Sequence, residues 1–302
     1  MTANYSGLIK KWMYVSVPVL LVAVLVLAIF VLKSSTKPRL SFASENKEAD
    51  ANQTAADANK ETEKEEKAEK DKEVPGPDHN HPAFGERVKE RARMVERDIK
   101  DRGVGDPNVL GALGIVPRHA FVRPGDLRRA YADHPLPIGL NQTISQPYIV
   151  AYMTEVLGLR PDSRVFEVGT GSGYQAAVCA EIAQEVYTVE ILEKLAKSAK
   201  ERLRELGYRN VTVKAGDGYF GWKEKGPFDA IIVTAAAGFV PPPLKEQLKP
   251  GGRMILPLGS PYGVQTLVLI TKDDKGKVRS KRLLPVRFVP MTGRVSETEE
   301  AP

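Results

Sequence analysis

Short apolar runs alternate with amphipathic segments between residues 164 and 259 of the chain. The apolar runs are predicted as strands, and the segments between them repeat apolar residues at helical spacing. This order predicts a parallel sheet with helices on both of its faces. The predicted strands are RVFEVG (164–169), VYTVEI (186–191), NVTVKAG (210–216), FDAIIVTAA (228–236) and GRMILPLG (252–259), and the predicted helices are 174–184, 193–206 and 243–249.

Further elements are predicted on either side of this alternation. Apolar residues recur at helical spacing from Phe84 to Ile99, with Gly103 as a stop, and Asp106-Pro107 marks the start of a second helix. After the alternation, TLVLITK and RLLPVRFVPM predict two more strands, antiparallel at an edge of the sheet. The fold class is therefore α/β, with a doubly wound, mostly parallel sheet of seven strands.

A run of 21 residues without a charge, residues 12–32, lies between basic residues near the N-terminus. About 20 such residues span a bilayer as a helix, whereas a cleavable signal peptide has an apolar region of only about 7–15 residues. We therefore predict a short flank, 1–11, and a transmembrane helix, 12–32. A signal sequence stays open as an alternative, because Ser41-Phe42-Ala43 is compatible with cleavage.

Charge is distributed unevenly along the 302 residues. The first 44 residues hold five basic and no acidic side chains, whereas residues 45–73 hold eleven acidic and six basic ones. This second segment has almost no large apolar residue, so it cannot bury enough surface to offset the entropy of ordering. We predict a disordered charged linker over 33–83, a folded domain over 84–295 and a disordered tail over 296–302.

The remaining composition limits the chemistry of the domain. After residue 73 there are 33 basic and 27 acidic residues, so charge does not demand a nucleic-acid partner and none is expected. The single cysteine, Cys179, excludes an intramolecular disulfide and a multi-cysteine metal site. His79 and His81 lie in a Pro/Gly segment without further ligands, which favours a solvated loop. No metal site is predicted.

Three alternating glycines, Gly169, Gly171 and Gly173, follow the first predicted strand and open a helix. An α/β sheet binds ligands at this kind of turn, although a plain glycine-rich connection would have the same residues. The spacing differs from the dinucleotide fingerprint G-x-G-x-x-G, because Tyr174 stands at its third glycine. A hydrolase elbow would need a serine in place of Gly171.

The pattern G-x-G-x-G with an acidic residue at the end of the next strand indicates an S-adenosylmethionine site. Glu190 would accept hydrogen bonds from both ribose hydroxyls, and Asp217-Gly218 would bind the adenine. A solvated strand end at Glu190 and a ligand-free turn at 217–218 stay open. Residues 233–236 are expected to line the cleft beyond the fourth strand. The cofactor-binding residues predicted in this region are Glu167, Gly169, Thr170, Gly171, Ser172, Gly173, Glu190, Asp217 and Gly218.

The chain resembles the bacterial type of protein-L-isoaspartate O-methyltransferase over roughly residues 85–292. The resemblance implies a class I S-adenosylmethionine-dependent methyltransferase fold, with that compound as cofactor. It implies methylation of the free α-carboxylate of L-isoaspartyl residues in proteins and peptides, which initiates their repair. Members of the family usually lack an anchor and tether, so their soluble location does not carry over. The matching runs are, in order, LPIGLNQTISQPYIVAYMTE, FEVGTGSGYQAAV, GDGYFGW, FDAIIVTAAA and LKPGGRMILPLG.

The resemblance also implies roles for single residues. The active-site serine is Ser145, Thr143 and Ile144 shape the cofactor side of its loop, and Thr292 approaches the cofactor from the last strand. A carboxylate is already a nucleophile at neutral pH, so holding it in line and excluding water would suffice. From spacing alone, Ser145 could instead cap a helix that begins near Pro147, and Thr292 could be a plain strand end.

Two other functions stay open at this point. The chain could be an S-adenosylmethionine-dependent methyltransferase of another substrate, or a non-catalytic membrane-tethered scaffold. For location, we expect anchoring in the lipid bilayer through residues 12–32, with the catalytic domain in the cytoplasm, because basic residues are slightly in excess after the span. Export by a signal sequence is the alternative.

Overall fold

The structure is a computed structural model that describes residues 75–260 and 262–299. The predicted flank 1–11, the predicted transmembrane helix 12–32 and the larger part of the linker predicted over 33–83 lie outside the described residues. Within the described ranges, no helix combines the length and the apolar character needed to cross a bilayer.

Strands of the described residues form two sheets. The smaller one is a hairpin of β1 (Leu136–Gly139) and β2 (Gln142–Ile144), which the sequence pattern did not predict. The larger one has seven strands: β3 (Arg164–Val168), β4 (Glu185–Glu190), β5 (Val211–Ala215), β6 (Phe228–Val233), β7 (Leu248–Leu258), β8 (Gln265–Lys272) and β9 (Val278–Val286).

The order of strands in the larger sheet is β5-β4-β3-β6-β7-β8-β9. Strands β3 to β7 are mutually parallel, whereas β8 runs antiparallel to both β7 and β9. The predicted doubly wound, mostly parallel seven-stranded sheet with an antiparallel edge is therefore confirmed.

Seven α-helices and several short turns accompany the sheet within the described residues. Helix α1 continues into a π-helical segment, Met94–Ile99, and a 3-10 turn that ends at Gly103. Asp106 caps α2 by accepting hydrogen bonds from two main-chain N–H groups, as its position before a proline predicts. The helices are α1 (Val88–Arg93), α2 (Pro107–Ile115), α3 (Pro147–Leu157), α4 (Tyr174–Ala180), α5 (Glu193–Glu205), α6 (Pro242–Glu246) and α7 (Arg294–Glu299).

Apolar side chains form two clusters, separated by the larger sheet. Side chains of a strand alternate between its faces, and in β3 Val165 belongs to the cluster that also contains residues of α2, α3 and α4. Phe166 and Val168 belong to the other cluster, together with Leu244 of α6. The sheet is thus covered on both faces, which explains why its central strands are nearly continuous apolar runs.

Helix α4 is shorter than predicted, because it ends at Ala180 and not at residue 184. The side-chain amide of Asn210 donates hydrogen bonds to the carbonyl oxygens of Ala180 and Ala183, at 2.9 and 3.2 Å. A side chain distant in sequence therefore satisfies carbonyls that would otherwise need another helical turn.

The C-terminal segment also differs from the prediction of a disordered tail over 296–302, because α7 covers residues 294–299. The amide N of Arg294 donates to Oδ2 of Asp217 at 2.7 Å. Val295 is buried in the second apolar cluster. The first contact caps the helix and the second buries an apolar side chain, and both stabilise this short helix.

The end of the predicted linker joins the domain before Phe84. The amide N of Asp78 donates to the carbonyl of Gly207 at 2.9 Å. Nε2 of His79 lies 3.0 Å from both carboxylate oxygens of Glu181, whose side chain is only 5% exposed. His79 itself is exposed, so the predicted solvated loop is confirmed, and its imidazole additionally contacts the carboxylate of Glu181.

Candidate active site

The winding of the large sheet reverses at β3, since β4 lies on one side of it and β6 on the other. Ligands of open α/β sheets bind outside the carboxyl ends of strands at such a point. The amide N of Thr234, just after β6, donates to the carbonyl of Val168 at 2.9 Å, and its hydroxyl donates to the carbonyl of Gly169 at 2.7 Å. The turns after β3 and β6 are thus fixed side by side.

Three positions of the turn after β3 favour glycine. Gly169, Gly171 and Gly173 have φ angles of 96°, 53° and 90°, in the region that favours glycine. A Cβ on Gly169 would lie 2.5 Å from Oγ1 of Thr234, and one on Gly171 would lie 3.3 Å from Cδ1 of Ile138. The turn therefore combines an unusual backbone conformation with close approach of neighbouring groups.

Glu190, the last residue of β4, is only 6% exposed. Its Oε2 accepts a hydrogen bond from the amide N of Gly171 at 2.8 Å, and its Oε1 accepts one from the amide N of Leu192 at 3.0 Å. The carboxylate is therefore held in place by two turns and is not a solvated strand end. Each carboxylate oxygen has two lone pairs, so both keep capacity to accept a further hydrogen bond.

A first cavity, here called the glycine-loop cavity, lies along the carboxyl ends of these strands. Its enclosed part is narrow, about 60 Å³, and the remaining space opens to solvent. Of residues 233–236, which are expected to line the cleft, residues 234 and 235 line this cavity, whereas residues 233 and 236 are fully buried. Six of the residues predicted for the cofactor also line it: Thr143, Gly169, Gly171, Glu190, Gly218 and Thr292.

The other predicted cofactor residues do not line this cavity. Ile144 is buried in the first apolar cluster. The carboxylate of Asp217 accepts hydrogen bonds from the amide N of Tyr219 at 2.9 Å and from that of Arg294, so it braces a turn and the start of α7. The six residues of this group are Ile144, Glu167, Thr170, Ser172, Gly173 and Asp217.

A chain of polar groups supports the glycine turn from inside the domain. Glu167 is fully buried, and its Oε2 accepts a hydrogen bond from the hydroxyl of Thr188 at 2.5 Å. The hydroxyls of Thr188 and Thr170 are 2.7 Å apart. Burial raises the pKa of the Glu167 carboxyl to about 8, although the hydrogen bond from Thr188 opposes the rise. At neutral pH this carboxyl is therefore mostly protonated.

A second cavity, here called the serine cavity, adjoins the first. Its volume is about 370 Å³, within the range of about 300–1,000 Å³ that ligand pockets have. Thr143, Thr234 and Val289 border both cavities. A ligand in the glycine-loop cavity would therefore meet one in the serine cavity at these three side chains.

Ser145 lines the serine cavity, and the hydrogen bonds of the described residues include none to its hydroxyl. The spacing-based alternative, in which Ser145 caps α3, is wrong. The N-cap is Gln146, and Oδ1 of Asp133 accepts the hydrogen bond from the amide N of Tyr148 at 2.9 Å. Asp133 therefore takes over the capping, which leaves the Ser145 hydroxyl available to a ligand.

Arg118 is a residue of the site that the sequence pattern missed. It is fully buried, and its Nη2 donates to the carbonyl of Ser145 at 2.8 Å while its Nε donates to that of Ala130 at 2.9 Å. Its guanidinium lies 4.8 Å from the ring centre of Tyr174, and desolvation lowers the pKa of Arg118. Its partners are 12 and 27 residues away, so no local pattern marks it.

The glycine-loop cavity can bind a ligand that has two hydroxyls beside Glu190. The other end of such a ligand would reach the serine cavity. The walls of the serine cavity are mainly apolar, including Ile149, Val286 and Phe288. Among its lining residues, Arg287 alone is charged. The site thus suits a group transfer that depends on alignment of the two reacting groups and not on a strong base.

Comparison with known proteins agrees with this geometry. The family model for protein-L-isoaspartate(D-aspartate) O-methyltransferase matches residues 89–296. Protein-L-isoaspartate O-methyltransferase 2 of Syntrophobacter fumaroxidans is 56% identical over 206 residues, which cover 68% of this chain and 83% of that protein. The protein-L-isoaspartate O-methyltransferase of Opitutus terrae is also 56% identical, over 207 residues covering 68% of this chain and 88% of that protein.

Solved structures of protein-L-isoaspartate O-methyltransferases are also similar to this chain, at lower sequence identity. A protein-L-isoaspartate O-methyltransferase superposes with a TM-score of 0.63 at 32% identity, and the match covers 68% of this chain and 67% of the other. The candidate protein-L-isoaspartate O-methyltransferase of Plasmodium falciparum, solved in complex with S-adenosyl-L-homocysteine, has a TM-score of 0.57 at 27% identity. That match covers 67% of this chain and 98% of the other.

Proposed function

Because the chain belongs to the protein-L-isoaspartate O-methyltransferase family, we propose that it methylates the free α-carboxylate of L-isoaspartyl residues in damaged proteins and peptides. It is an S-adenosylmethionine-dependent methyltransferase, and methylation initiates repair of these residues. The observation that carries the proposal is that two cavities meet within the matched residues, one beside the glycine turn and one beside Ser145.

The residues around the glycine-loop cavity fit this cofactor. Glu190 keeps acceptor capacity for ribose hydroxyls beyond its bonds to the amides of Gly171 and Leu192. Gly218 lines the cavity, and a Cβ there would lie 2.3 Å from the side chain of Val168, so this turn also lacks room for a side chain. When bound, S-adenosylmethionine supplies a methyl group that its sulfonium has already activated.

We assign Ser145 the task of orienting the substrate carboxylate. An ionised carboxylate needs no general base, since its unperturbed pKa is near 4. A hydroxyl with no hydrogen bond among the described residues can donate to one carboxylate oxygen and direct the other towards the junction at Thr143 and Thr234. Arg118 and Asp133 would hold the loop that carries this hydroxyl. Methyl transfer is accelerated because the carboxylate is aligned with the methyl group within a largely apolar cavity.

Selectivity for isoaspartate tests the proposal. The extra main-chain methylene of an isoaspartyl residue frees its α-carboxylate, which in a normal aspartyl residue forms the peptide bond. We expect methyl transfer to an isoaspartyl peptide and almost none to the peptide that differs only in having aspartate, although both have the same net charge. The measurement is incorporation of a labelled methyl group into the matched pair. Equal methylation of both peptides would reject the proposed function.

We also propose that residues 12–32 anchor the enzyme in a lipid bilayer and that the catalytic domain faces the cytoplasm. The length of the uncharged run supports the anchor, and the basic residues that follow it support the orientation. We expect the domain of the full chain, expressed in bacteria, to resist protease added outside intact spheroplasts and to be digested after detergent lysis. Digestion in intact spheroplasts would show that the domain is exported.

A further inference from the structure

Arg287 is placed to contact a substrate that occupies the serine cavity. It is the first residue after β9, it is exposed, and it lines the cavity together with Ser145. The ion pairs and hydrogen bonds of the described residues include none to its guanidinium. All other residues that line this cavity are uncharged. A cation without a protein partner therefore stands at a site whose substrate is an anion.

The main chain on the C-terminal side of Arg287 is fixed at two points. The amide N of Phe288 donates to Oε1 of Gln265 at 2.9 Å. The carbonyl of Val289 accepts a hydrogen bond from the amide N of Ala236 at 2.8 Å. The guanidinium therefore extends from a held backbone at the edge of the cavity.

The reacting carboxylate is a poor partner for this guanidinium. Methyl transfer joins a carboxylate oxygen to the methyl carbon while the bond from that carbon to sulfur breaks, so a negative and a positive charge disappear together. A cation on the reacting carboxylate would stabilise the charged ground state more than the transition state and would slow the reaction. A second carboxylate of the substrate keeps its charge throughout and is free of this penalty.

We propose that Arg287 makes the enzyme select isoaspartyl substrates that carry a second carboxylate within two residues of the isoaspartyl residue. This inference rests on the proposed function and specifies its substrate class. The planar guanidinium can bind a carboxylate through two parallel hydrogen bonds. The cavity wall beside Arg287 includes the buried Val286 and the partly buried Phe288, so this pair would be less solvated than an ion pair on the open surface.

The test uses isoaspartyl peptides in which glutamate replaces glutamine at each of the two positions before and after the isoaspartyl residue. For the wild-type enzyme we expect glutamate at one or more of these positions to raise kcat/KM about 3- to 30-fold. Arg287→Gln should abolish this preference, so that the variant has the same kcat/KM for the glutamate and the glutamine peptides. Arg287→Lys should retain part of it, because the charge remains but the two-pronged geometry is lost.

Arg279→Gln is the matched control, since Arg279 is an exposed residue of β9 outside the lining of the cavity, and its loss changes net charge equally. It should preserve the preference for glutamate. Absence of any preference that depends on Arg287 would overturn this inference while leaving the proposed function intact. A drop in kcat/KM that is equal for glutamate and glutamine peptides would place the guanidinium on the reacting carboxylate and also overturn it. Failure to methylate any isoaspartyl peptide would instead contradict the proposed function.

Discussion

Replacement of Ser145 by alanine is expected to lower turnover of an isoaspartyl peptide on the order of 10- to 150-fold. The reason is the loss of one hydrogen bond to a charged group, which is worth about 1.5–3 kcal/mol. Because the Ser145 hydroxyl has no hydrogen bond within the described residues, and α3 is capped through Asp133, its removal should cost little stability. Single-turnover methyl transfer and thermal unfolding measure the two quantities.

Glu190→Gln is the matched contrast for Ser145→Ala. Both oxygens of Glu190 accept hydrogen bonds from main-chain N–H groups, so a glutamine must turn its amide NH₂ towards the N–H of either Gly171 or Leu192. It should weaken binding of S-adenosylmethionine by about 10- to 150-fold, whereas Ser145→Ala should leave this affinity within about twofold. Calorimetric titration of both variants decides the assignment. Unimpaired turnover by Ser145→Ala, or unchanged cofactor affinity in Glu190→Gln, would remove that residue from its proposed role.

Replacement of Glu167 by glutamine is expected to remove most of a pH dependence of stability in the wild-type chain. The folded-state pKa of about 8 lies above the ordinary value of 4.5, so the folded chain keeps a proton that the unfolded chain releases between these pH values. The free energy of unfolding should therefore fall as pH rises through this window. Since one pKa unit corresponds to about 1.4 kcal/mol, the total loss is on the order of 3–5 kcal/mol.

Glutamine is close in shape to the neutral Glu167 carboxyl, and its carbonyl oxygen can still accept the hydrogen bond from the hydroxyl of Thr188. Urea unfolding between pH 5 and pH 9 measures the free energy of unfolding of both proteins. The value for Glu167→Gln should increase relative to that of the wild type as pH rises. Glu193→Gln, at an exposed position in the first turn of α5, is the control and should change this profile by no more than about 0.5 kcal/mol. Parallel profiles for wild type and Glu167→Gln would show that Glu167 is ionised in the folded domain.

The glycine turn illustrates what local sequence can determine. Gly169, Gly171 and Gly173 are recognisable because the backbone of a tight strand-to-helix turn needs positive φ angles, and that need is met within five residues. The acid at the end of β4 is predictable for a similar reason, since parallel strands bring their carboxyl ends to one edge of the sheet. Glu190 accordingly lies beside the turn, with a hydrogen bond from Gly171.

Position relative to the cavity was less predictable for the other residues of the same motif. Glu167 and Thr170 immediately flank the first glycine, yet they face Thr188 inside the domain and do not line the glycine-loop cavity. Side chains of a strand alternate between faces, and the chain alone does not tell which face a cofactor would approach. Asp217 likewise follows a strand end, but Arg294, 77 residues away, engages its carboxylate.

The apolar pattern by itself determined the seven-stranded α/β sheet, its antiparallel edge and the position of the glycine turn, because buried strands and tight turns place demands on consecutive residues. Tertiary structure alone decided the end of α4 at Ala180, where Asn210 satisfies the carbonyls, and the freedom of the Ser145 hydroxyl, where Asp133 caps α3. It also decided that a buried Arg118 holds the loop of Ser145. These outcomes depend on hydrogen-bond partners 12 to 30 residues apart, and such partners are chosen by packing and not by any pattern within a few residues.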